Sequence, residues 1–192
     1  MSAESFSTEQ LREFVIAGHW NLPKVQEILA QFPEILNVSY EWGENDYETA
    51  IQGAAHAGSA PVAEFLLSRG APLEICTAAM LGREDEVIRL LAEDPGLINA
   101  RGAHAIPLMA HAALSGNVAL AQMLYEHGAH EGVSFALGLA VSKGHLEMTQ
   151  WLLENGTPDL SWKNYEGKTP LMVATETRNE AIAALLLKYG AA

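Results

Sequence analysis

The stretch that decides the fold is Gly167-Lys168-Thr169-Pro170-Leu171-Met172-Val173-Ala174, followed by Ile182, Leu185-Leu186-Leu187 and Gly190-Ala191. Thr169 before Pro170 is an N-cap followed by a proline in the first helical turn, where the missing N–H costs nothing. The small Ala174 late in this first helix lets a neighbour approach closely. A second helix then supplies branched bulk and stops at a glycine.

Moving towards the N-terminus, the same grammar returns. Ala140-Val141-Ser142-Lys143-Gly144 leads to Met148, Trp151-Leu152-Leu153 and Gly156; Ala112-Ala113-Leu114-Ser115-Gly116 leads to Met123-Leu124 and Gly128-Ala129. Ala78-Ala79-Met80-Leu81-Gly82 leads to Val87 and Leu90-Leu91, and Ala54-Ala55-His56-Ala57-Gly58 to Val62 and Phe65-Leu66-Leu67. A weaker first copy runs from Leu11 through Ile16-Ala17 to Val25 and Ile28-Leu29, and Ser7-Thr8-Glu9-Gln10 fits a capping box at its start. One helix pair cannot bury its apolar face alone, so the copies must stack into a continuous core.

These residues resemble the ankyrin repeat family. Thr169-Pro170-Leu171-Met172-Val173-Ala174 is similar to its Thr-Pro-Leu-His-x-Ala signature, and Gly144-His145-Leu146-Glu147 through Gly156 to its second helix and loop. The resemblance implies an all-α solenoid of about six helix–turn–helix repeats, a single domain over 1–192, with repeats near 7–37, 49–71, 72–99, 106–130, 132–158 and 167–192. The turn positions Trp20, Gly58, Gly82, Gly116, Gly144 and Arg178 are 38, 24, 34, 28 and 34 residues apart, against a family period of about 33. The connection Gly70-Ala71-Pro72-Leu73 therefore leaves no room for a β-hairpin finger before the third repeat, and Gly128 to Gly132 leaves little before the fifth. The fingers should be irregular and partly shortened.

Composition narrows the function. Of 192 residues 49% are apolar, enough for a core. The apolar stretch Gly132 to Ser142 falls short of the roughly 20 residues a membrane span needs. Met1-Ser2-Ala3-Glu4-Ser5 lacks the basic and apolar segments of a secretory signal, so a cytoplasmic location is expected. A net charge of −13 opposes a phosphate backbone, which argues against a nucleic-acid role.

Catalytic and metal motifs are sparse. Cys76, the single cysteine, is expected to be a small buried thiol in the first helix of the third repeat. Neither a Gly-x-Ser-x-Gly elbow nor a phosphate loop occurs, so no catalytic residues and no cofactor are assigned. Of the seven histidines, His104, His111, His127 and His130 invite a metal reading, yet the repeat frame spreads them over a finger, a first helix and a loop. No metal ligand is therefore assigned. The acidic run Glu41-Trp42-Gly43-Glu44-Asn45-Asp46-Tyr47-Glu48 lacks EF-hand spacing and reads as a solvated finger with two aromatics.

The resemblance implies instead that the two variable residues before each turn line a concave groove where partners dock. Met80, Leu81 and Leu114 would form its apolar centre, flanked by His56 and Lys143, with the finger aromatics Trp42, Tyr47, Trp162 and Tyr165 at the rim. The expected function is a non-enzymatic, monomeric protein-binding module whose partner offers a basic or amphipathic helix. Self-association through the solenoid ends is the alternative.

Overall fold

The computed structural model describes residues 6–192; Met1–Ser5, on which the reading of the chain start rests, lie outside them. Among the described residues twelve α-helices form six consecutive pairs: α1 (Thr8–Gly18) with α2 (Leu22–Gln31), α3 (Ala50–Ala57) with α4 (Ala60–Ser68), α5 (Ile75–Met80) with α6 (Glu84–Glu93), α7 (Leu108–Ser115) with α8 (Val118–Glu126), α9 (Val133–Lys143) with α10 (Leu146–Asn155), and α11 (Pro170–Glu176) with α12 (Glu180–Lys188). The first helices stack in order from α1 to α11, and the outer row is joined where α2 meets α4, α8 meets α10 and α10 meets α12. The fold is the all-α solenoid expected from the sequence.

Caps explain where the helices start. The Ser7 hydroxyl accepts from the Gln10 N–H and the Gln10 side chain accepts from the Ser7 N–H, so the expected capping box forms; Thr49 and Gln52 make another at α3. Thr169 caps α11 as expected and Asn117 caps α8, whereas Ser59 makes no side-chain cap at α4. Gly58, Gly82, Gly116 and Gly144 turn with φ between 67° and 76°, the left-handed region in which only glycine avoids a Cβ clash. Arg178 holds the same conformation at φ 56°, at a cost of about 1 kcal/mol.

The connections differ from one another. After α2, β1 (Tyr40–Gly43) and β2 (Asp46–Glu48) pair as a hairpin whose tip, Glu44-Asn45, is left-handed at both residues, as a tight two-residue turn demands. No strand or helix lies between α4 and α5. After α6, two short 3-10 turns, Pro95–Asn99 and Ala103–Ala105, carry the chain to α7. Without a finger between α4 and α5, the hairpin and the Ala103–Ala105 turn come into contact, and α3 touches α7 across the six-residue α5.

Two apolar clusters fill the interior. One centres on Phe14, Val25, Ile51 and Leu66 in the first two repeats; the other runs from Ile75 through Leu120, Leu137 and Leu152 to Leu186. Met80 and Leu114 belong to the first cluster, and Leu81 packs against it.

Candidate functional site

The apolar patch expected on the concave face does not form. Met80 is 4% and Leu114 6% exposed, and Leu81 is half-buried. The missing finger lets α3 and α7 meet, so these side chains seal the seam between the first and later repeats. A Cβ added at Gly58 would lie 3.1 Å from Leu114 Cδ2 and 2.9 Å from Lys143 Nζ. Lys143 crosses the same seam to donate to the carbonyls of Ala57 (2.9 Å) and Gly58 (3.3 Å). The middle of the inner row is thus filled by the protein's own side chains.

The finger aromatics divide into two kinds. Trp162 is half-buried against Phe135 and lies over Gly138, where no Cβ obstructs it, so it fixes its loop to α9. Tyr165 stands in the same loop 95% exposed, and Tyr47 on the hairpin is 49% exposed. Trp42 presents 36% of its surface while its indole N–H donates to Glu48 Oε2 at 2.8 Å.

Glu48 is where the structure departs furthest from the expectation of a solvated acidic finger. It is fully buried, and three imidazoles surround its other oxygen. His56 Nε2, from α3, stands 2.6 Å from Glu48 Oε1; His19 Nε2, at the end of α1, and His104 Nε2, from the Ala103–Ala105 turn, are each 3.5 Å away. Donor atoms of His19, Glu48 and His56 lie within 4.8 Å of one another. Gly53 provides the room, since a Cβ there would meet the His19 ring at 3.0 Å and Glu48 Oε1 at 3.4 Å. Burial, the largest influence on Glu48, raises its pKa, but the His56 hydrogen bond, the histidine charges and the Trp42 N–H outweigh it and hold the carboxyl below its usual 4.5. Burial lowers the pKa of His19 against the pull of Glu48, favouring a neutral ring.

Each outer ring is oriented from behind. His19 Nδ1 lies 3.0 Å from the Val15 carbonyl and 3.2 Å from that of Ile16, and His104 Nδ1 lies 2.6 Å from Asp46 Oδ2. The His104 N–H also donates to Asp46 Oδ1 at 3.3 Å, which secures a residue held at φ 57°. Beneath this finger His111 is fully buried, its Nδ1 3.3 Å from the Ala55 carbonyl. A Cβ on Gly102 would fall 2.6 Å from His111 Nε2, so only glycine lets the finger lie this low.

Of the histidines first considered for a metal, His104 joins the cluster, whereas His127 and His130 turn their rings to the carbonyls of Met123 and Tyr125. His19 carried no ligand signal in the sequence, and Glu48 stood only in the acidic run set aside for lacking EF-hand spacing. Cys76 is buried as expected, and burial pushes its thiol up to about 12, so it is inert as a nucleophile. Among the described residues no helix is long and apolar enough to cross a membrane.

Comparison with known proteins agrees with the repeat architecture. Residues 131–192 match the family model for ankyrin repeats (3 copies). The "Putative ankyrin repeat protein" of Rickettsia bellii (strain RML369-C) is 40% identical over 60 residues, which cover 29% of this chain and 36% of that protein, so the match spans about a third of each. Ankyrin repeats are in general protein–protein interaction modules. Residues 131–192 thus match ankyrin repeats, and the helix pairs stacked through the other described residues follow the same design.

Proposed function

We propose that this chain is a non-enzymatic protein-binding module whose contacts lie on the finger tips, at Tyr47, Trp42 and Tyr165, instead of in the centre of the concave face. The observation that carries this reading is the exposure of Tyr165, 95%, on a loop anchored by the neighbouring Trp162. A large aromatic held in solvent by a fixed support costs little entropy to immobilise, which is why such residues concentrate binding energy at interfaces. The hairpin adds Tyr47 and the edge of Trp42 beside the exposed carboxylates Glu41 and Glu44. That mixture suits a basic or amphipathic helix, and the charge of −13 steers such a partner while repelling nucleic acid.

The test is capture of partners from lysate of the source cell by the native chain beside a Tyr47→Ser, Tyr165→Ser variant. Both substitutions are at exposed positions, so the far-ultraviolet circular dichroism should not change. A protein retained by the native chain and lost by the variant supports the reading; equal retention places the contact elsewhere and refutes it. A second reading, self-association, has one observation in its favour, since the last helix pair exposes Leu187 at 57% and Met172 at 46%. We expect a monomer, and light scattering at increasing concentration separates the two.

A further inference from the structure

We infer that His19, His56 and Glu48 form a binding site for a single divalent transition-metal ion of the zinc class, with His104 at its rim. Neutral imidazole nitrogens and a carboxylate oxygen are donors suited to such ions, and no thiolate lies among them. Three features of the geometry support this, and none depends on the partner-binding reading.

The first is orientation. His19 Nδ1 faces only carbonyl oxygens, so that nitrogen carries a proton and Nε2 is the one turned towards the buried Glu48 Oε1.

Spacing is the second. Ligands about 2.0–2.1 Å from a tetrahedral ion stand roughly 3.3 Å from one another. The 3.5 Å separation of His19 from Glu48 already matches that edge, the 2.6 Å pair His56–Glu48 needs to open by less than an ångström, and the donor atoms of all three residues lie within 4.8 Å of one another.

The third is outer support of the kind that metal-binding histidines require. The Val15 and Ile16 carbonyls hold the far nitrogen of His19, and the Trp42 N–H occupies Glu48 Oε2, leaving Oε1 as the single carboxylate donor. With three donors supplied by the protein, the fourth position falls to water. The site ties the end of α1, the face of α3 and the hairpin together.

The probes are Zn2+ by titration calorimetry and Co2+ by its visible ligand-field bands, added to chain stripped with chelator. One ion per chain is expected, with the bands of a four-coordinate nitrogen–oxygen site. His19→Ala and His56→Ala should each weaken binding at least tenfold. His127→Ala with His130→Ala should change nothing. Because a ligand variant could fail to fold, the native chain is also followed by imidazole nitrogen resonances. Equimolar Zn2+ should shift those of His19 and His56 and leave those of His127 and His130 in place. Absence of stoichiometric binding, or binding that moves other histidines, overturns the proposal and leaves a hydrogen-bonded histidine–glutamate cluster.

Discussion

Acidification should destabilise this protein through His111 in particular. The imidazole is fully buried, and burial, opposed only in part by the Ala55 carbonyl, lowers its pKa from 6.5 to about 4. Between these values the unfolded chain binds a proton that the folded chain does not, so stability increases with pH across the window. Read downwards, the contribution is complete above pH 6.5, is lost as pH falls towards 4, and levels off once the folded ring is also protonated. The gap corresponds to about 3 kcal/mol at roughly 1.4 kcal/mol per pH unit, a large part of a stability of about 5–15 kcal/mol. Urea denaturation from pH 7.5 to 4, with chelator present, should be compared between the native chain and His111→Gln, which keeps polar atoms there without a titrating group. His19, lowered by burial, and Glu48, held low by its partners, act in the same sense, but both are common to the two chains and cancel in the comparison. The stability of the native chain relative to the variant should fall by about 3 kcal/mol over this range. Parallel curves would refute the argument and place the pH dependence elsewhere.

Two further outcomes test the packing. Leu114→Ala should lower stability by about 2–5 kcal/mol, as truncation of a buried leucine does, whereas Tyr165→Ala should change it by less than about 0.5 kcal/mol; urea midpoints measured side by side would contradict this placement if the two variants lost equal stability. Gly18→Ala would put a Cβ 2.5 Å from the Ala50 carbonyl oxygen, a backbone atom that cannot turn aside. The resulting separation of α1 from α3 should cost about 1–3 kcal/mol, and an unchanged melting temperature would show that the two helices are not in close contact.

The sequence by itself determined the repeat and its irregularities. Small residues before each turn, a turn glycine and branched bulk in the following helix act locally, through cap geometry and helical periodicity, so Ser7, Thr169, Gly116 and Leu152 could be placed without knowing their neighbours. The 24-residue spacing between Gly58 and Gly82 likewise disclosed a missing finger. Its consequence was decided only in three dimensions. Absence of that finger brings α3 against α7, burying Met80 and Leu114 where the repeat frame alone suggested an exposed row, and brings His104 to a glutamate 56 positions earlier in the chain. His19, Glu48, His56 and His104 share no local spacing, because each enters the cluster from a different structural unit. Periodicity records which way a side chain faces within its own helix; which side chains from distant repeats meet depends on the stacking of all the units between them.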